Sequence, residues 1–421
     1  MKNQGHRAER WENYINLQIP ERTSYLSHNT MAFILKAVLY LSVFLCVSGA
    51  VIPSDEDTEL ILVSVIFRHG ARTTYAFYPT DPNKNETFYP IGLGGLTNEG
   101  KLGEYKLGRY LKNLYEDFLG DVYTEDYVDV RSTDVTRTKM SAQLVLAGLF
   151  PPSEIQLWNQ DLVWQPIPVA YKTAAEEDLF HPSGSCAYKS HVLDHLPENE
   201  EVQEVFIKPY KETFDYIQNK SGKAMRHPAD MQDIYFIFKT ENDMGLVMPN
   251  WTKDVFPEPT QSIASQVYGY HNFDPRVKQI NSGFMVKKIL DDSQKKIEGG
   301  STKKIFLYSG HESTLGYMLN ALGVTEPHVP PYGSAISFEV RKSADQFYIK
   351  VSKDERLSVS ILLHFFIVGR QGQGLCPVSD NDWPIEESKP NVPKIIKYCL
   401  FNLSGVTIRS SVRFISVTNR R

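Results

Sequence analysis

The chain has 421 residues, 42% hydrophobic and 12% aromatic, with 45 Lys and Arg against 50 Asp and Glu for a formal net charge of -5. That is enough apolar material for a large core and more than one domain, and it speaks against a disordered, collagen-like or coiled-coil chain. The near-neutral balance speaks against a dedicated nucleic-acid binder, and four cysteines are too few for a disulfide-dense scaffold.

Residues 1–30 form a polar extension, and Met31 behind it is a candidate true start. Residues 31–50 combine Lys36, an apolar run from Ala37 to Val47 and the small residues Ser48, Gly49 and Ala50, which is the pattern of a secretory signal peptide removed after Ala50. The run falls short of the ~20 residues of a membrane-spanning helix, so no stable membrane anchor is expected. Removal leaves 40 basic and 47 acidic residues, a net charge of -7. Export gives meaning to four sequons, at Asn85, Asn219, Asn250 and Asn402, read as glycosylation sites. It leaves Cys186, Cys376 and Cys399, enough for one intramolecular pair, and none of the cysteine spacings is of the zinc type.

Three apolar runs of strand length each lead into a cation. The first, Glu59 to Phe67, is a near-continuous β-branched stretch, as expected of a strand buried on both faces, and it runs into Arg68-His69-Gly70-Ala71-Arg72. The second, Asp126 to Val130, leads into Arg131-Ser132-Thr133-Asp134 and a helical pattern from Arg137 to Leu149. The third, Lys304 to Tyr308, leads into Ser309-Gly310-His311-Glu312 and a helix that stops near Gly323. Between the first two lies an amphipathic helix from Thr97, its N-cap, to Leu119, with Leu107, Leu111, Leu114, Tyr115 and Phe118 facing the core. Residues 161–295 show few strand patterns and read as a mostly helical insert between two parts of an α/β domain, 51–160 and 296–421.

Ligands of open α/β sheets bind beyond the carboxyl ends of the strands, where helix starts add free N–H groups. Arg68, His69, Arg72, Arg131 and His311 converging there would make an anion pocket. Taken singly, each arginine is more often a surface or ion-paired group and each histidine a structural one; it is their shared position after strands that weighs against chance. Guanidinium forks suit the oxygens of a phosphate, and an imidazole can be the nucleophile that carries it as a phosphohistidine. For that role His69 needs one nitrogen held as a donor and the other free, and nearby cations keep it unprotonated in mild acid. Glu312 is placed to protonate the leaving oxygen and then to activate water, although a plain N-terminal helix charge is an equally economical reading of it.

Arg68-His69-Gly70-Ala71-Arg72-Thr73 resembles the arginine-histidine signature of the histidine acid phosphatases. The glycine-rich stretch Gly92 to Gly100, the stretch Val130 to Thr138, the segment Gln165 to Val169 and Gly310-His311-Glu312 are similar to further family landmarks, in order, over about residues 60–350 and closest to the prostatic, lysosomal and insect venom branch. The resemblance implies an α/β fold, with a mixed central sheet flanked by helices and a mostly helical inserted domain, the site lying in the cleft between them. It implies His69 as nucleophile, Glu312 as proton donor, phosphate held by Arg68, Arg72, Arg131 and His311, no metal and no cofactor. It also implies secretion or a lysosomal location, a homodimer, and phosphate monoesters as substrates, phosphoproteins and phospholipids among the candidates.

Four departures stand out. Thr74 replaces a usual proline, and Glu312 is one methylene longer than the usual Asp. The C-terminal cysteine pair of the branch is reduced to Cys376, which leaves Cys186 with Cys399 as the preferred disulfide. Leu357 to Gly369 is unlike the family, either a buried strand or a stretch foreign to the protein. Two other functions stay open on the sequence: an inositol-phosphate-selective phosphohydrolase of the same superfamily, and a secreted phosphate-binding scaffold without turnover.

Overall fold

The computed structural model describes residues 57–180, 186–324, 326–344, 346–354 and 365–366. The leader, Cys376, Cys399 and Asn402 lie outside these residues, and with them the Cys186–Cys399 pairing. Of the unusual stretch Leu357 to Gly369, only Phe365 and Phe366 are described.

The first apolar run forms β1, Glu59–Arg68, buried from Leu62 onward. Its near-continuous hydrophobicity has a direct cause: Val63, Val65 and Phe67 enter one apolar cluster, and Leu62 and Ile66 enter another on the opposite face of the sheet. The first cluster is closed by α1, Asn98–Leu119, and α2, Thr136–Leu149, through Leu107, Leu111, Tyr115, Val145, Leu146 and Leu149. Leu114 instead faces solvent, because one position before Tyr115 it is turned off the buried stripe. The two helices cross at glycines: a Cβ on Gly108 would stand 2.1 Å from the Val145 carbonyl, and one on Gly148 2.3 Å from that of Tyr105.

The second run forms β2, Val128–Ser132, shifted two residues along because Tyr127 still closes a turn onto Thr124. Next come β3, Ala170–Tyr171, and a long stretch with no strand among its described residues, which holds α3, Lys211–Ser221, α4, Pro228–Asp243, and α5, Phe284–Ile297. Phe214, Ile217, Met231, Ile234, Phe238 and Ile263 give this stretch its own apolar cluster, joined by Tyr78 from the segment after β1. Then follow β4, Ile305–Gly310, α6, Glu312–Ala321, β5, Ala335–Ser343, β6, Gln346–Asp354, and β7, Phe365–Phe366.

The sheet runs β3-β2-β4-β1-β5-β6-β7. β1, β2, β3 and β4 pair in parallel, whereas β5, β6 and β7 are antiparallel, so the sheet is mixed and flanked by helices. With β1 at the centre, the carboxyl ends of β1, β2 and β4 lie side by side.

Candidate active site

Strand register alone brings the two histidines together. Arg68 at the end of β1 is opposite Gly310 at the end of β4, so His69 and His311 leave the sheet from adjacent strands, and the His69 N–H still bonds the Gly310 carbonyl at 3.0 Å. Ser132 of β2 is opposite Ser309, which carries Thr133 to His311; its hydroxyl lies 3.0 Å from His311 Nε2. The imidazole rings of His69 and His311 stand 5.5 Å apart, edge to face.

The arginine-histidine loop is clamped between the glycine-rich segment and α1. Thr97 caps α1 by accepting from the Gly100 N–H, while its own N–H and hydroxyl both donate to the Ala71 carbonyl. This contact needs glycine on both sides: a Cβ on Gly70 would meet the Gly100 carbonyl at 2.4 Å, and one on Gly100 would meet that of Ala71 at 2.1 Å. Ser141 of α2 completes the clamp by accepting from the Gly70 N–H.

His69 is fully buried and has a fixed tautomer. Nδ1 lies 2.8 Å from the Gly70 carbonyl, which can only accept, and Nε2 accepts from Arg137 Nε at 3.0 Å. Burial, then the charges of Arg68, Arg137 and His311, holds its pKa well below the ordinary 6.5. The imidazole is therefore neutral in acid, with its lone pair on Nε2 facing the cations.

Arg68 is wholly buried, stacked 4.0 Å over Tyr332 and 5.1 Å from Phe236 of α4. Its Nη1 donates to the Pro330 carbonyl at 2.6 Å, but Nε and Nη2 have no hydrogen-bond partner; Nη2 stands 3.8 Å from Glu312 Oε2. Arg72 lies over Tyr75 and Phe236 and spends one donor on the Thr73 carbonyl. Glu312 opens α6 directly after its N-cap, His311. Burial pushes the Glu312 carboxyl up, but Arg68, His311 and Arg72 together outweigh it and hold its pKa below 4.5.

Arg131 does not join this group. It lies within β2, paired to Ala170 of β3, and its guanidinium is held by Glu177 at 3.0 Å and Asp178 at 2.6 Å. Glu177 is itself fixed by the N–H groups of Leu179 and Phe180. The third arginine of the cluster is Arg137, in the first turn of α2, with Nε on His69 and Nη2 3.5 Å from His311 Nδ1. Burial and neighbouring Arg72 bring its pKa to about 10, so it stays charged in acid. Sequence reasoning missed it, although Arg137 obeys the rule that selected His311 and Glu312: it sits where a helix begins beyond a parallel strand. Tyr332 and Phe236 left no signal, being distant residues whose rings reach the arginines only in the fold.

His69, His311 and Glu312 also place ligand atoms within 4.8 Å of one another. Three guanidinium groups around them oppose a divalent cation and favour an anion. Unpartnered donors on a buried arginine, two more arginines and a lone pair on a neutral imidazole suit a tetrahedral oxyanion and attack on its central atom.

Comparison with known proteins agrees with this chemistry. The profile of the histidine phosphatase superfamily (branch 2) matches residues 59–353. The chain is 38% identical over 301 residues to a venom acid phosphatase of Apis mellifera, covering 70% of this chain and 77% of that one. It is 32% identical to the prostatic acid phosphatase of Homo sapiens over 70% of this chain and 77% of that one, and 31% identical to the lysosomal acid phosphatase of Rattus norvegicus over 69% of each. Among solved structures, the Hafnia alvei phytase superposes with a TM-score of 0.52 at 18% identity, over 72% of this chain and 86% of that chain, a likeness of fold alone. The chain belongs to the histidine acid phosphatase family within branch 2 of the histidine phosphatase superfamily, and is a phosphatase enzyme.

Proposed function

We propose that the protein hydrolyses phosphate monoesters in acid through a phosphohistidine on His69. The observation that carries this reading is the pairing of a buried imidazole, its tautomer set by the Gly70 carbonyl, with the unpartnered Nε and Nη2 of Arg68. An arriving phosphate takes up Arg68, Arg72 and Arg137, and drawing Arg137 away from His69 frees the Nε2 lone pair to attack phosphorus. The bond to the leaving oxygen breaks as that oxygen takes a proton from Glu312. Water, deprotonated by Glu312, then displaces phosphate from His69 and returns the site to its starting state.

Glu312 is held ionised by the same cations that bind the phosphate, so the substrate's negative charge offsets them and lets the carboxyl take up a proton in acid. Acid activity thus follows from the charge balance of the occupied site. Exposed Asn85, Asn219 and Asn250 and the leader pattern support a glycosylated, secreted or lysosomal enzyme. No described helix is long and apolar enough to cross a membrane.

Turnover of an aryl phosphate at pH 4 to 7, with chelator present, tests the reaction class. Activity that is highest in acid, resists chelator and vanishes in His69→Ala is expected; activity that chelator abolishes would overturn the mechanism.

A further inference from the structure

Away from the site, the segment after the arginine-histidine loop crosses to the helical stretch and is fastened there. Tyr75 donates to Asp233 of α4, Thr80 donates to the Lys220 carbonyl at the end of α3, and Tyr78 is buried against Phe238 and Trp251. At the centre of this strap two carboxyls are buried together: Asp81 is 1% exposed and Glu241 of α4 is 0% exposed. Asn83 joins them, its N–H on Asp81 Oδ1 at 2.8 Å and its side-chain amide on Glu241 Oε1 at 3.0 Å and on the Val247 carbonyl.

The remaining oxygens, Asp81 Oδ2 and Glu241 Oε2, are buried and accept from no donor. Two buried carboxylates, each with one oxygen that lacks a donor, would carry a large desolvation and repulsion cost, and one proton placed between them turns two orphan acceptors into a single hydrogen bond. We propose that Asp81 and Glu241 share one proton and so form an acid-set clasp that holds the strap behind the arginine-histidine loop to α4, and that releases when the proton is lost.

The groups facing the pair bear this out. Tyr78 from the strap and Asn83 at its tip act on the carboxyls, and among the described residues no lysine, arginine or histidine does. Burial, opposed in part by the Asn83 amide, together with Asp81 raises the Glu241 pKa from 4.5 to about 8, and burial raises that of Asp81. The folded chain therefore keeps a proton that the unfolded chain gives up above pH 4.5, and stability falls from there until the pair ionises near pH 8. The strap leads straight from Arg72 and Tyr75, so its release would loosen the ring that stacks on Arg72.

The test is unfolding of the full chain from pH 5 to pH 8, wild type against Glu241→Gln, whose amide can donate to Asp81 but does not titrate. The clasp predicts that the wild-type folding constant loses about tenfold more per pH unit than the variant's. Equal slopes would overturn the proposal. A second measurement needs no variant: the infrared band of an un-ionised carboxylic acid should persist in the wild-type chain at pH 7 and disappear by pH 9. Its absence at pH 7 would likewise overturn the clasp.

Discussion

Arg131 and Arg137 belong to one short motif and meet opposite fates. Arg131 is still part of β2, where its side chain finds two carboxylates; Arg137 starts α2, where a side chain points back across the strand ends. Arg131 thus sits in an ion pair, whereas Arg137 stands beside His69 and His311, the position proposed here for a phosphate ligand. Arg137→Ala should raise KM, lower kcat and weaken inhibition by inorganic phosphate, since a charge-assisted contact to a phosphate contributes about 1.5–3 kcal/mol, roughly 10- to 150-fold. Arg131→Ala should leave the phosphate inhibition constant within about threefold of wild type, as expected where a guanidinium serves only a carboxylate pair. Inhibition constants for both variants check this, and a larger change in Arg131→Ala than in Arg137→Ala would return Arg131 to the pocket.

Among the elements, β1 and the helices around it were the most legible, because their signals are local. The near-continuous apolar run of β1 meant burial on two faces, and Thr97 marked the start of α1 as the cap it proves to be. What stayed hidden depends on partners remote in sequence: the register that sets Arg68 against Gly310, and the rings of Phe236 and Tyr332 over Arg68. The glycine contact between the loop and α1 is of the same kind, since nothing near Gly100 announces that its Cα faces Ala71. Gly100→Ala forces a methyl against that carbonyl and should cost about 1–3 kcal/mol while moving the loop that carries His69. A lower melting temperature together with a reduced kcat is the expected result; lost stability with full kcat would mean that the loop keeps its position without the contact.

For the whole molecule, buried ionisable groups set opposite limits on stability. His271 is half-buried next to Lys189 and His227, its loss of solvation being the larger effect, and its pKa falls from 6.5 to about 3. His69 shifts in the same direction. The unfolded chain binds protons at these histidines below pH 6.5 that the folded chain refuses, so their contribution is lost as pH falls through that window. The Asp81 and Glu241 pair has the reverse sign, its contribution lost as pH rises from 4.5 toward 8. Where the windows overlap, between pH 4.5 and 6.5, the slopes oppose each other, two histidines against one shared proton, so the melting temperature should rise gently with pH there, fall more steeply below pH 4.5 and fall again above pH 6.5. Melting curves from pH 3 to pH 9 check this. His271→Asn should flatten the acid limb by up to about 1.4 kcal/mol per pH unit; a melting temperature that climbs steadily through pH 8 would contradict the assignment.

Trapping the phosphorylated enzyme tests most directly whether His69 carries the phosphoryl group. Wild type, Glu312→Gln and His69→Ala are mixed rapidly with a labelled aryl phosphate, quenched in alkali to preserve a phosphohistidine, and digested for peptide mapping. Label is expected on the peptide containing His69, more of it in Glu312→Gln because hydrolysis of the intermediate slows, and none in His69→Ala. Label on another residue, or full turnover with no trapped phosphoryl group in any of the three, would contradict a phosphohistidine at His69.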